Sequence, residues 1–228
     1  MGYAGDVTVK VLTFRVWAPY AHFRRPYTTR SPATFSIPPR PTVLGMIGAV
    51  LGMGKKEYPS KLADIKIGIQ PEEKIRKIRT TINFVDTKES KMIQRTQMLH
   101  EFVTDPKYTI AVFSEKEELL ERIYSAIKEK KPYYTPYLGT AQHIARIYSP
   151  EIEEQNRVDR TETNYVTPID AVTGAETGKK YIVERIAYHI DAERKATKYI
   201  DVAIPVGGPI TAAQTEDVVV TNGGIVLW

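Results

Sequence analysis

Cationic and aromatic residues alternate along one run of the chain, FRVWAPYAHFRRPYTTRSPATFSIPPRPTVLGMIGAVLGMGKK, which extends from Phe14 to Lys56. No acidic residue lies between Asp6 and Glu57, so the cations of this run have no partner close in sequence. Cations neutralise phosphates and flat rings stack on bases, so this composition suits a single nucleic acid strand. The cations are Arg15, Arg24, Arg25, Arg30, Arg40, Lys55 and Lys56, and the rings belong to Phe14, Trp17, Tyr20, Phe23, Tyr27 and Phe35. The first hypothesis is that this run binds RNA.

A different interpretation of the same arginines is a solvated basic surface with scattered salt bridges. RNA contact is favoured because the acid-free span leaves the cations without local partners. Phe14 and Trp17 fall within a strand pattern and are expected in the core. Tyr20, Phe23 and Tyr27 lie in a loop and are the stacking candidates.

Composition sets the broad class of the protein. The chain has 228 residues, 42% of them hydrophobic and 26% charged, which is typical of a soluble globular protein of one large or two small domains. A net charge of +5 favours an anionic partner. There is no cysteine, which excludes disulfides, thiolate catalysis and zinc sites that use cysteine.

Two observations predict a cytoplasmic protein that does not enter a membrane. The longest apolar run, from Thr42 to Met53, is about half of the ~20 residues that a membrane-spanning helix needs. The first residues, MGYAGDVTVK, lack the basic start and apolar core of a secretory signal.

Hydrophobic periodicity predicts the main elements. Alternation at every second residue predicts strands at Val7 to Trp17, Asp64 to Gln70, Lys77 to Val85, Tyr108 to Phe113, Tyr181 to Ile190, Tyr199 to Pro205 and Gly224 to Trp228. A helix is predicted from Val43 to Met53 with Thr42 as its N-cap, and a second follows Ser114, which would form a capping box with Glu117. The buried stripe of the second helix is expected to be Leu119, Leu120, Ile123 and Ile127. The first helix carries glycines at 45, 48 and 52 on one face, which indicates close packing, most simply on the sheet beneath.

The remaining segments read as loops. Residues 20–41 contain five prolines and show no period, Asp86 to Thr96 is polar enough for an exposed hairpin tip, and residues 149–164 are charged and lack a pattern. The order of elements predicts an α+β fold: a ferredoxin-like or RRM-like core over residues 1–147, with a flexible thumb near 86–97. Residues 148–228 would form a C-terminal β-rich extension.

The same residues resemble a known family. The run from Phe14 to Gly52 resembles the N-terminal signature of the CRISPR-associated Cas-five family, in which a first strand leads into an FR-P segment, a P-PT-LG turn and a glycine-rich helix. The downstream TPYLGTAQHIARI resembles the P-LG element of that family. The likeness covers roughly the first 147 residues.

This resemblance implies an RNA-binding subunit of a type I CRISPR surveillance complex (Cascade). Such subunits hold the 5′ repeat-derived handle of the CRISPR RNA, cap the filament of backbone subunits and contact the large subunit, so target DNA is a partner through the complex. The RNA-binding residues expected on the body are Tyr20, His22, Phe23, Arg24, Arg25, Tyr27, Arg30, Arg40, Lys55 and Lys56. On the thumb, Lys88, Lys91 and Arg95 are expected to contact phosphate or the backbone subunit.

Catalysis is the main alternative to simple binding. Some members of the family cut precursor RNA without a metal, using a tyrosine, a lysine and a histidine, and candidates here are His22 and His100 with Tyr20 or Tyr27. The Lys-His dipeptide associated with cleaving members is absent, so we expect a non-enzymatic subunit. His100, His143 and His189 are more simply interpreted as partly buried hydrogen-bonding residues. A protein-interaction module without specific RNA binding is the third possibility.

No cofactor or metal is expected. The histidines and carboxylates have no spacing typical of metal ligands, and the glycine triplets near the C-terminus are interpreted as β-turns rather than a phosphate-binding loop.

Overall fold

The protein, examined as a computed structural model, is described over residues 7–28, 31–86, 94–174, 178 and 180–228. Within these ranges no helix is long and apolar enough to cross a membrane. The α-helices are α1 (Arg40–Leu51), α2 (Tyr58–Lys61) and α3 (Glu117–Lys128). The strands are β1 (Thr8–Trp17), β2 (Tyr20–Ala21), β3 (Lys66–Pro71), β4 (Arg76–Asp86), β5 (Gln94–Thr104), β6 (Lys107–Phe113), β7 (Arg146–Asn156), β8 (Arg160–Thr163), β9 (Thr167–Pro168), β10 (Val172–Gly174), β11 (Tyr181–Ile190), β12 (Ala196–Pro205), β13 (Ile210–Ala213), β14 (Val219–Val220) and β15 (Val226–Leu227).

The central sheet has the strand order β3-β6-β1-β7, and all neighbours in it are antiparallel. The chain runs from β1 through α1 to β3, passes through the β4–β5 hairpin to β6, and returns through α3 to β7. Helix α3 packs on β1 and β7, and α1 packs beside α3. Helices and antiparallel sheets of this kind confirm the predicted α+β class.

Helix α1 starts earlier than predicted. Its N-cap is Pro39 and a second proline stands in its first turn, so Thr42 is not the cap. Proline is favoured there because an N–H in the first turn has no acceptor within the helix, so its absence costs no hydrogen bond, and because the φ of proline is already helical. A Cβ on Gly48 would lie 2.9 Å from the Cβ of Tyr58, so the glycine face packs on α2 rather than on the sheet. Gly52 ends the helix with a φ of 76°.

Strands β4 and β5 form an antiparallel hairpin that lies between β3 and β6 in the sequence. Its strands pair from Arg76 opposite Thr104 to Asp86 opposite Gln94, so the predicted strand at Lys77 to Val85 is confirmed and β5 is its partner. Of the predicted tip, Asp86 ends β4 and residues 94–96 begin β5, whereas residues 87–93 lie outside the described residues. Strand β2 pairs with β5 at the base of the hairpin.

Residues 149–164, predicted to lack structure, form strands instead. Strand β7 pairs with β1 from Thr8 opposite Asn156 to Trp17 opposite Arg146, and it spans the expected domain boundary at residue 147. Glutamates alternate with partly buried residues on β7, and because it is an edge strand its charged face meets water. Because so many of its residues are charged, this strand lacks the alternation of apolar and polar residues by which a strand is predicted.

The C-terminal residues pack into the first sheet. The backbone of Trp228 exchanges hydrogen bonds of 3.0 and 2.9 Å with Ile67 of β3. Its ring is 1% exposed, and its indole N–H donates to the carbonyl of Val166 at 2.9 Å. One hydrophobic core therefore includes residues from both the N-terminal part and the C-terminal strands.

Helix α3 confirms most of its predicted buried stripe, with Leu119 only partly buried, but not its predicted cap. Leu120, Ile123 and Ile127 are buried, as a helical spacing of three and four requires. The helix begins at Glu117, and the Ser114 hydroxyl accepts a hydrogen bond from the Lys116 N–H instead of completing a capping box.

Candidate nucleic-acid interface

The segment from His22 to Ser36, called the basic loop below, folds back on itself. Arg24 and Thr34 form an isolated bridge, and the Phe35 N–H donates to the carbonyl of Phe23 at 2.9 Å. Prolines in this segment prevent regular strand pairing along its length. The loop is consequently ordered by a few specific hydrogen bonds rather than by a sheet.

Three of the predicted cations are exposed and free to meet a polyanion. Arg24 lies in the basic loop, and Lys55 and Lys56 follow α1. None of the three forms an ion pair within the described residues. Tyr20 is 45% exposed and Tyr27 is 68% exposed, so both rings are accessible for stacking.

Arg25 has a different role from its neighbour. Its Nη2 lies 2.7 Å from Oε1 of Glu184, and its guanidinium carbon lies 5.2 Å from the Phe35 ring centroid. Glu184 is 7% exposed and also accepts hydrogen bonds from the N–H and the hydroxyl of Ser36, at 2.9 and 2.8 Å. Arg25 thus lacks an acidic partner close in sequence, as expected, but the fold supplies one from β11, 159 residues away.

The same carboxylate connects the basic loop to the base of the β4–β5 hairpin. Lys77 Nζ lies 3.7 Å from Glu184 Oε1 and 3.9 Å from Glu101 Oε2, and it donates to the carbonyl of Thr34 at 2.9 Å. Burial lowers the pKa of Lys77, against the effect of the two carboxylates. Glu101 in turn accepts the Thr34 N–H at 3.2 Å and lies 3.2 Å from Arg79. Loop, hairpin and β11 are thus held by one charged network.

Three residues expected to contact RNA are buried instead: His22 at 4%, Phe23 at 3% and Arg40 at 2% exposure. Phe23 packs 6.4 Å from the ring of Tyr108 in the core. Arg40 donates to the carbonyls of Ala63 and Ile65 at 2.7 and 2.6 Å. The expected stacking and phosphate contacts of these residues are corrected to structural roles, because each is oriented into the protein.

His22 belongs to a cluster of histidine and aromatic rings beside the hairpin. Its ring lies 5.6 Å from those of both His100 and Phe102, and His143 lies 5.4 Å from Phe102. The Nδ1–H of His22 donates to the carbonyl of Glu101 at 2.8 Å. Burial lowers the pKa of both His22 and His143, so both rings are neutral at pH 7.

This cluster bears on the alternative of RNA cleavage. The structure brings His22 and His100 together, as that alternative requires. Tyr27, one tyrosine candidate of that alternative, accepts a hydrogen bond through its hydroxyl from Arg25 at 3.3 Å rather than from either histidine. Within the described ranges, no group of three or more histidines and carboxylates is arranged to hold a metal ion.

Four further predicted residues lie wholly or partly outside the described residues. Arg30, Lys88 and Lys91 lie outside the described residues, and Arg95 lies in β5 with its side chain outside them. Their expected contacts with phosphate or a backbone subunit stay predictions.

A groove beside α1 contains residues that sequence reasoning missed. It encloses about 460 Å³, has no acidic residue in its lining, and includes Lys55, Tyr134, Tyr137 and Arg194. Tyr134 is 51% exposed and Tyr137 is 42% exposed. The motif YYTPY indicates exposed rings, but nothing in the sequence places Arg194 in the same groove as Lys55.

Comparison with known proteins agrees with the resemblance. The chain matches the model of the family described as CRISPR-associated protein (Cas_Cas5) over residues 11–212. It matches no curated protein.

Two solved structures have a similar fold. One is a CRISPR protein from Archaeoglobus fulgidus, with 15% identity over 96% of this chain and 98% of that chain and a TM-score of 0.59. The other comes from a CRISPR RNA-guided surveillance complex, with 11% identity over 87% of this chain and 91% of that chain and a TM-score of 0.56. Because the family model spans most of the sequence, the chain belongs to the CRISPR-associated Cas-five family.

Proposed function

We propose that the chain is a non-catalytic, RNA-binding subunit of a type I CRISPR surveillance complex that acts in antiviral defence. It binds the 5′ repeat-derived handle of CRISPR RNA, caps the filament of backbone subunits and contacts the large subunit, so that target DNA is engaged through the complex. Membership of the Cas-five family supports a role as an effector subunit. The similar chain from a CRISPR RNA-guided surveillance complex has the same fold and is consistent with such an assembly.

The observation that carries the proposal is the exposed set of Arg24, Lys55 and Lys56 with the rings of Tyr20 and Tyr27. These cations are not neutralised by a neighbouring acid within the described part of the chain. A phosphate backbone supplies the missing counter-charge, and the rings offer faces for unpaired bases. Because the basic loop is already held by Glu184, RNA binding does not have to meet the full entropic cost of ordering it.

We also propose that the central sheet is a ferredoxin-like or RRM-like core. In support, its elements follow the order strand, helix, strand, strand, helix, strand (β1, α1, β3, β6, α3, β7). The β4–β5 hairpin is inserted in the sequence between β3 and β6, and it would form the thumb. The C-terminal β-rich extension would then brace the RNA-binding part, because it supplies Glu184 to the basic loop.

The absence of cleavage is part of the proposal. His22 is 4% exposed and its Nδ1–H is committed to the Glu101 carbonyl, so it is poorly placed to reach a ribose hydroxyl. The observation that favours the alternative, a metal-independent endoribonuclease, is the short separation of the His22 and His100 rings.

RNA binding is tested in the reconstituted complex with the triple variant Arg24→Ala, Lys55→Ala, Lys56→Ala. We expect weaker binding of the CRISPR RNA handle and a salt dependence lower by about two units, since each lost contact to a single strand removes about 0.7. The matched control removes three exposed cations of the α3 region, Lys116, Arg122 and Lys128, and should leave both quantities unchanged. Equal affinity of the wild-type complex for the handle and for scrambled RNA would refute the proposal.

Cleavage is tested by incubating the protein with repeat RNA in the presence of EDTA. We expect intact RNA. Specific products that disappear in a His100→Ala variant would overturn the non-catalytic assignment and support the endoribonuclease.

A further inference from the structure

A second cleft lies on the other side of the segment formed by residues 132–137. It encloses about 770 Å³, where the end of β1 and the start of β7 meet the C-terminal end of α3. Val50, Ile127 and Ile147 contribute apolar surface, and no acidic residue lines it. This volume is within the range of pockets that hold small organic ligands, roughly 300–1,000 Å³.

One wall of the cleft is a stacked pair of side chains. Trp17 and Arg146 are opposite each other in the β1–β7 ladder, and the guanidinium carbon of Arg146 lies 5.4 Å from the Trp17 ring centroid. The indole N–H donates to Oδ1 of Asp105 at 2.5 Å, which fixes the orientation of the ring. The pair therefore offers a preformed flat surface next to apolar side chains.

The charge of the cleft selects an anion. Lys130 and Arg146 are both exposed, and neither forms an ion pair within the part of the chain that the structure describes. Lys107, the third lining cation, is already paired with Glu73 at 2.7 Å and with Asp105 at 3.6 Å. Two cations at an apolar cleft match a ligand that has a flat, weakly polar part and a negative part.

A nucleotide has both parts in one small molecule. Its base can stack on the Trp17–Arg146 pair, and its phosphate can reach Lys130. A protein segment with acidic residues would satisfy the charge but would make no use of the flat stacked wall.

We propose that this cleft is a nucleotide-binding site, separate from the basic loop, in which Trp17 and Arg146 stack on the base and Lys130 binds the phosphate. The nucleotide is either one unpaired residue of the bound RNA or a free mononucleotide. The first source rests on the proposed function, whereas the second does not.

The fluorescence of Trp17 reports occupancy directly. The chain has two tryptophans, and Trp228 is 1% exposed and does not line the cleft, so it contributes a constant background. AMP and a labelled single-stranded RNA are titrated separately onto the full chain, and anisotropy of the labelled RNA measures overall RNA binding. We expect quenching that Trp17→Phe removes, and an apparent affinity at least fivefold lower in Arg146→Ala, since one stacking contact is worth about 1–3 kcal/mol. Lys128→Ala, exposed on α3 and outside the lining, is the control that should change nothing.

The outcomes separate this inference from the proposed function. Quenching by AMP that is weakened in Arg146→Ala supports a free nucleotide, and quenching by RNA alone supports a residue of the bound strand. RNA binding by anisotropy with no quenching in either titration overturns the inference and leaves the proposed function intact. Quenching by AMP in a protein that binds no RNA supports the nucleotide site and overturns the proposed function. If Arg146→Ala does not fold, Lys130→Ala is measured in its place. If the variant impairs only the assembly of the complex and leaves quenching unchanged, the cleft binds a protein and the nucleotide assignment is overturned.

Discussion

Replacing Arg25 with alanine tests whether a carboxylate from β11 holds the basic loop in place. The change removes the 2.7 Å contact with Glu184 and the guanidinium that lies 5.2 Å from the Phe35 ring centroid. We expect a lower free energy of unfolding, because Glu184 is 7% exposed and would lose its closest counter-charge.

The size of the effect follows from what remains around Glu184. Losing a hydrogen bond between charged groups costs about 1.5–3 kcal/mol, and losing the ring contact costs about 0.5–1 kcal/mol. The side chain of Arg25 is itself 26% exposed, and Lys77 stays 3.7 Å from the carboxylate, so the full cost of breaking a buried pair does not apply. We therefore expect a loss of about 2–3 kcal/mol, or roughly 5–10 °C in melting temperature for a chain of this length.

Urea unfolding and a thermal melt measure this loss, and Arg24→Ala is the matched control. Arg24 is the adjacent, exposed arginine, so its removal should change the free energy of unfolding by less than about 0.5 kcal/mol. In a double-mutant cycle, Glu184→Gln should make the Arg25→Ala change less costly, since no buried charge is left unpaired. An Arg25→Ala protein as stable as the wild type would refute the idea that this ion pair holds the loop.

Three further predictions follow from single sites. Arg24→Ala should reduce the salt dependence of RNA binding by about 0.7, measured as log affinity against log salt, and an unchanged slope would mean that Arg24 does not touch phosphate. Burial lowers the pKa of His22 in the folded state, so below a pH of about 6.5 the unfolded state binds more protons and the free energy of unfolding should fall as pH falls. Urea unfolding at several pH values should show a shallower fall for His22→Gln, and identical pH profiles would contradict this assignment. Gly139→Ala should cost several kcal/mol, because Gly139 has a φ of 89° and its Cβ would lie 2.0 Å from the carbonyl oxygen of His22. The control Gly178→Ala has the same φ, and no atom of the described residues lies within 4 Å of the added Cβ, so it should cost only about 1–2 kcal/mol; equal losses in the two melts would rule out the steric explanation.

Local sequence patterns were enough to predict elements whose burial repeats at a regular interval. The alternation in β1, β6 and β11 and the stripe of Leu120, Ile123 and Ile127 in α3 follow directly from the periods of a strand and a helix. The family is also evident locally, because its N-terminal signature lies within one continuous run from Phe14 to Gly52.

Elements at the edge of the structure were harder to predict. Strand β7 is mostly exposed and rich in glutamate, so its only strong signal is the pairing with β1, which is distant in sequence. The first residue of α1 could not be predicted from the sequence, because either Thr42 or Pro39 could act as the N-cap. The prolines around Arg40 are compatible with the first turn of a helix and equally with a loop.

The assignment of individual cations and rings required the tertiary structure. From the sequence alone, Arg24 and Arg25 are equivalent neighbours in an acid-free run, and His22 and Phe23 share a loop with the exposed Tyr20 and Tyr27. Burial and charge pairing are set by whichever chain segments meet in space, and Glu184 reaches Arg25 only because β11 packs beside the loop. The sequence thus determined which segment is suited to RNA, and the fold decided which of its residues are left at the surface to bind it.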